Sequence, residues 1–260
     1  MKLLTFARAL RRLLGGKRHV PPALKDNALL QTIYRRRSVR SFTNQPISDD
    51  EFAAILEAGR LAPCTVNLQT WSFALFTPET WQRAFGQSIP FKGQRAVIVL
   101  GDIHRVKTLV TDFPDSSLID YTIAVMNASL AAMNMNLAAE ALGIASVMLS
   151  ETGRTGLLDP GYLKAVLCLP EKVFPLMTIV FGRPRGAYPP MPPKLPLEII
   201  SFEGQYKEAD TGVMDDWLEQ MVAGYKASHL SSSFEAQLRI YQNKIGRAET
   251  ELERLVYERN

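Results

Sequence analysis

Cysteine and histidine are scarce in this chain. Its 260 residues hold two cysteines, Cys64 and Cys168, and three histidines, His19, His104 and His229. Two thiols 104 positions apart build neither a disulfide framework nor a zinc knuckle, and the expectation is a reducing, cytoplasmic setting. An unbroken apolar run is also missing. The most apolar stretch, residues 121–142, is interrupted by Asn127, Asn134, Asn136 and Glu140, so it reads as a helix buried in protein and not as a membrane span. There is no G-x-S-x-G elbow, no H-E-x-x-H, no P-loop and no G-x-G-x-x-G opening a helix after a strand. Nucleophilic, zinc and Rossmann mechanisms therefore drop out.

Excess charge of one sign is small. Thirty Lys and Arg stand against 26 Asp and Glu, and seven of the basic residues (Lys2, Arg8, Arg11, Arg12, Lys17, Arg18 and Lys25) precede the first acid, Asp26. The rest of the chain is slightly acidic, which does not support a nucleic-acid groove, since phosphate neutralisation needs a basic stripe on the folded body. What is there is ordinary for a globular protein: 47% hydrophobic and 22% charged residues.

Three segments are expected: an N-terminal arm over 1–25, a body over 26–205 and a helical extension over 206–260. In the arm, Leu3, Phe6, Leu10 and Leu13 recur at helical spacing among basic residues, which suits an arm packed on protein, a helix lying on a membrane surface through residues 1–20, or a targeting segment. Asp26 reads as an N-cap ahead of Ala28, Leu29, Thr32 and Ile33. A second helix opens at Asp49-Asp50, carries Phe52, Ile55, Leu56, Ala58 and Leu61 on one face, and stops at Pro63.

Strands are expected at 71–77, 96–102, 145–149 and 177–181, with 198–202 a candidate fifth. Five prolines within 188–196 require an extended path. Phe234, Leu238, Tyr241, Ile245, Ala248, Leu252 and Leu255 form a heptad-like seam, with capping boxes expected at Ser232/Glu235 and, for the helix before it, at Asp216/Glu219.

The chemistry-bearing residues cluster in two places. In residues 35–42 (RRRSVRSF) an extended chain would put Arg36, Ser38 and Arg40 on one face, where two guanidinium forks and a hydroxyl suit a terminal phosphate. The bland reading is a solvated basic turn, or a helix C-terminus neutralised by Arg. In residues 62–73 (APCTVNLQTWSF) Asn67 and Gln69 could meet the polar edge of a planar ligand, while Cys64, with no histidine near it, reads as a small packing residue.

Together these segments resemble the nitroreductase superfamily of FMN-dependent oxidoreductases, with its R-R-S-x-R-x-F motif, its P-I-(S/T)-x-x-E helix start (Pro46 to Glu51 here) and its A-P-S-x-x-N-x-Q-P-W loop. The stretch 130–147 is similar to the family's L-x-x-x-N-x-x-L-A-A-x-x-L-G segment. The resemblance implies an α+β fold of three layers, a mixed central sheet flanked by helices, in a domain-swapped homodimer with FMN at the interface and residues 198–202 crossing to the partner's sheet.

It further implies that Arg36, Arg37, Ser38 and Arg40 hold the FMN phosphate and ribityl chain, while Pro63, Cys64, Thr65 and Asn67 approach from the partner. Met148, Leu149 and Ser150 would pass the flavin ring, and Lys194 would stand where a late arginine joins the phosphate site. Lys92 is a candidate cation near the flavin's N1 and O2. Cys64 replaces a serine, Thr70 a proline and Lys194 an arginine of the family pattern.

The implied activity is hydride transfer from NADH or NADPH through flavin N5 to nitro compounds, quinones or similar small electron-poor acceptors. Dehalogenation, flavin destruction and heterocycle dehydrogenation are alternatives on the same scaffold. A redox-silent module acting through its terminal helices is the rival from another class.

Overall fold

A computed structural model describes residues 20–150, 160–228 and 233–257; the amphipathic arm, Ser232 and the segment after Ser150 lie outside these. The chain divides into two compact units, one of 26–189 with 244–260, the other of 1–25 with 190–243. The main body is thus assembled from two separate stretches, and the proline-rich segment from residue 190 on belongs to the second unit.

The main unit is built around four strands, β1 (Trp71–Phe76), β2 (Arg95–Asp102), β3 (Ala145–Leu149) and β4 (Val173–Gly182), in the order β1-β2-β4-β3. All three pairings are antiparallel. The expected mixed sheet is therefore corrected to an antiparallel one, and the parallel element among the described residues is an isolated bridge, Ser38 to Ser146. Residues on β2 alternate between the two faces, as a pleated strand buried on both sides requires. Val97 and Val99 join one apolar cluster and Ala96, Ile98 and Leu100 the other.

The first cluster is covered by α2 (Asp49–Arg60) and α5 (Ser117–Ala141), the second by α3 (Pro78–Phe85) and α6 (Pro160–Val166), so the three expected layers are present. Trp81 of α3, fully buried, packs edge-on against Phe76 with ring centroids 5.2 Å apart.

Local chemistry sets the helix boundaries. For α1 (Ala28–Arg35) the N-cap is Asn27, whose Oδ1 accepts from the Leu30 amide at 3.0 Å, and not the expected Asp26. Ser48 caps α2 in a full capping box with Glu51, and Arg183 donates to Glu51 at 2.5 Å. A short helix α4 (His104–Leu109) follows β2. Helix α5 lies close to the sheet because Gly101 has no side chain: a Cβ there would come within 2.9 Å of the Ala124 Cβ.

In the second unit, α7 (Leu197–Ile200) is a single helical turn where a fifth strand was a candidate. The Ser201 amide and hydroxyl both close onto the Leu197 carbonyl, at 2.8 and 2.5 Å, so this turn satisfies itself locally, whereas a strand would need an edge to pair with. Helix α8 (Thr211–Ser228) opens five residues before Asp216, with Asp210 accepting from the Gly212 amide at 2.7 Å, which corrects the expected Asp216/Glu219 box. Helix α9 (Phe234–Tyr257) runs from the second unit into the first. Its last turns bury Ala248 and Val256 in the main unit, with Leu252 packed beside them, while Leu238, Tyr241 and Ile245 stay exposed. The seam is therefore in use at its C-terminal half and at its first residue, where Phe234 packs edge-on against Tyr225.

Candidate functional site

The basic segment leaves α1 in an extended conformation and runs beside β3, with the Val39 amide donating to the Ser146 carbonyl at 3.0 Å. Further on, the Thr43 amide donates to the Arg183 carbonyl and the Arg185 amide to the Ser41 carbonyl, and Phe42 sits against Gly182, where even a methyl group would clash with its ring. Pinned at both ends, the segment alternates as expected. Arg37 and Val39 are buried, Arg36 is half-buried, and Ser38 and Arg40 are exposed.

The four arginines do different work. Arg35 donates through Nε to the buried Glu140 carboxylate at 2.8 Å. Arg37 turns back, and its Nη1 donates to the carbonyls of Tyr34, Arg35 and Arg36 at 2.7, 3.0 and 2.7 Å, neutralising the C-terminus of α1. For Arg37 the bland reading thus describes where the guanidinium goes. Arg36 and Arg40 carry no ion pair among the described residues and share a face with the Ser38 hydroxyl. Arg40 Nη1 makes one long bond, to the Ser38 carbonyl at 3.5 Å, and two guanidinium forks and a hydroxyl without an internal counter-charge fit a phosphate dianion in charge and donor geometry.

The second part of the site is the loop before β1. Val66, Asn67 and Gln69 all adopt left-handed backbone, with φ of 47°, 56° and 49°. Cys64 Sγ accepts from the Gln69 amide at 3.3 Å, and the residue packs half-buried against the first apolar cluster. Arg105 donates to the carbonyls of Gln69 and Trp71. Pro63, Thr65 and Asn67 are exposed. The loop walls a cleft of about 780 Å³ lined also by Leu56, Trp71, Phe73 and Arg105.

These two parts do not meet within one chain. The basic segment lies on edge strand β3 and the loop leads into edge strand β1, three strand intervals or about 14 Å across the sheet. Residues 148–150 belong with the first part. Met148 is half-buried and Leu149 buried on β3, and Ser150 is exposed just beyond the strand. Lys92 is exposed in a short turn ahead of β2, and Lys194 is exposed in the second unit.

Some residues that build the site are legible in the sequence only as interruptions. Each polar residue of α5 that breaks its apolar run fastens a different piece of the fold. Asn127 binds Thr65 and Thr70, Asn134 donates to the Ala58 carbonyl at 3.0 Å, and Asn136 accepts from the Ser146 hydroxyl at 2.6 Å. Glu140 takes Arg35 and the Tyr188 hydroxyl. Burial, aided by that carboxylate, pushes the Tyr188 hydroxyl up to about 12.

The fold is α+β, with two candidate regions at opposite edges of its sheet, a cationic strand at one and a polar left-handed loop at the other. The chain belongs to the nitroreductase family, whose profile matches residues 33–183 and so spans both parts. Among curated proteins it is 28% identical over 214 residues to a Bacillus subtilis protein named FMN reductase (NAD(P)H), covering 75% of this chain and 82% of that one. It is 25% identical over 201 residues to an oxygen-insensitive NADPH nitroreductase of Salmonella typhimurium, covering 75% of this chain and 82% of the relative.

Among solved structures, the NADPH:FMN oxidoreductase of Vibrio harveyi complexed with NAD+ superposes with a TM-score of 0.66 at 25% identity, over 85% of this chain and 98% of that one. Nitroreductase A of Vibrio parahaemolyticus shares the fold with a TM-score of 0.69 at 23% identity, over 84% and 91% of the two chains. No helix among the described residues is long and apolar enough to cross a membrane.

Proposed function

We propose that this protein is an FMN-dependent NAD(P)H oxidoreductase that works as a homodimer and reduces nitroaromatic, quinone or similar electron-poor small molecules. The observation that carries the reading is the exposed face of Arg36, Ser38 and Arg40, held rigid by buried neighbours and left without internal counter-charge. The names of the relatives, FMN reductase and NADPH nitroreductase, support it.

In this reading Arg36 and Arg40 clasp the FMN phosphate with the Ser38 hydroxyl between them, while Arg37 braces the turn from behind. Met148, Leu149 and Ser150 border the ring system, offering backbone donors at the end of β3. Pro63, Cys64, Thr65 and Asn67 of a second copy close the other side, because one chain's own loop lies at the opposite edge. An exposed apolar stripe on α5 (Ile119, Met126, Leu130 and Met133) provides a surface for that pairing. The chemistry a bound FMN supplies is two-electron exchange between a nicotinamide donor and the acceptor. No side-chain acid or base is required for it, in keeping with the scarcity of histidine.

Purified protein should be yellow and should bleach anaerobically with NADH or NADPH. The Arg36→Ala/Arg40→Ala double variant should lose FMN while keeping its fold by circular dichroism. Retention of stoichiometric flavin by that variant would refute the phosphate placement.

A further inference from the structure

Asn127 sits in the middle of α5 with 2% of its surface exposed, surrounded by alanines. Both ends of its carboxamide are used. Oδ1 accepts from the Thr65 amide at 3.2 Å and the Thr65 hydroxyl at 3.3 Å, and Nδ2 donates to the Thr70 hydroxyl at 2.8 Å. One buried side chain therefore ties the first residue of the loop to the last. The left-handed residues Val66, Asn67 and Gln69 lie between those two ties, and none of them is a glycine. Such a conformation persists only where its surroundings impose it.

Thr70 is also the residue that departs from the proline of the family motif. A proline ring restrains the backbone by itself but offers no side-chain acceptor. The fully buried Thr70 supplies the acceptor that the Asn127 N–H requires.

We infer that Asn127 is a positioning residue, matched to Thr70, that holds the 65–70 loop in the shape in which it meets the flavin. The inference rests on the proposed function for the identity of the ligand, though not for the clamp itself. If the clamp opens, only a fraction of molecules present a competent loop, and apparent FMN affinity falls by that fraction.

The test uses the full-length protein with three substitutions. Asn127→Leu removes both ties, and Thr70→Val removes one with almost no change of shape. Asn127→Asp keeps both, since a carboxylate accepts from Thr65 and from a Thr70 hydroxyl rotated to donate. The first two should raise the FMN dissociation constant, read from quenching of flavin fluorescence, by about tenfold or more, while Asn127→Asp stays near wild type. In the flavin-free protein, hydrogen exchange at the Thr65 and Trp71 amides should quicken in the same two variants, with Val97 to Val99 unchanged.

Wild-type affinity in Thr70→Val, or a loss matched by faster exchange throughout the sheet, would overturn the inference. Should Asn127→Leu not fold, Thr70→Val decides. Wild-type protein that takes up no FMN would sink the proposed function, and the exchange data would still judge the clamp.

Discussion

Single residues carry charge balances that can be titrated. Tyr188 donates to Glu140 at 3.1 Å, and burial together with that neighbour pushes its hydroxyl from the ordinary 10.0 up to about 12. Between those values the native protein keeps a proton that the unfolded chain has lost. The stability it contributes is complete below about pH 10 and disappears as pH climbs through about 12. Tyr188→Phe should therefore flatten the alkaline limb of a stability-versus-pH curve measured by urea denaturation, and remove one late-titrating phenol from the tyrosinate absorbance. An unchanged slope would show that Tyr188 ionises normally. Glu51 behaves oppositely. The Ser48 amide and Arg183 hold its carboxylate below the usual range, so its contribution is present above the unfolded value and lost on acidification.

Elements were legible where pattern and chemistry agree. The four strands and α2 stand where alternation and helical spacing put them, because each buries a clear face. The basic strand and the polar loop stood out because most of their arginines, hydroxyls and amides break the apolar pattern, although Arg37 and Thr70 are buried. Failures came where the deciding partner is distant in sequence. Nothing local says that Asn127 reaches Thr65 and Thr70, whereas the return of Arg37 onto its own helix end has local partners and was open as the bland reading. The direction of neighbouring strands was misjudged for the same reason: it depends on long-range pairing. A helix start, by contrast, is local, and α2 shows it. Ser48→Ala breaks a complete capping box and should cost about 1 kcal/mol of unfolding free energy, measured by chemical denaturation, since the Glu51 amide loses its acceptor while the Ser48 amide keeps the Glu51 carboxylate. A change below about 0.3 kcal/mol would mean that the Arg183 link to Glu51 compensates.

At the scale of the whole molecule, the separation of the basic strand from the loop by the full width of the sheet means that the proposed homodimer would divide labour between copies. In the proposed homodimer each polypeptide would contribute two half-sites, and a twofold axis would turn them into two equivalent chambers. Damage to one half in one copy and to the other half in its mate then falls entirely on a single chamber and spares the second. Co-expressing a chain bearing Arg36→Ala/Arg40→Ala with one bearing Thr65→Pro should thus restore flavin to about a quarter of all chambers under random assortment, although neither chain alone retains any. Genetic complementation between two dead alleles would be the outward sign of a pocket that no single polypeptide encloses.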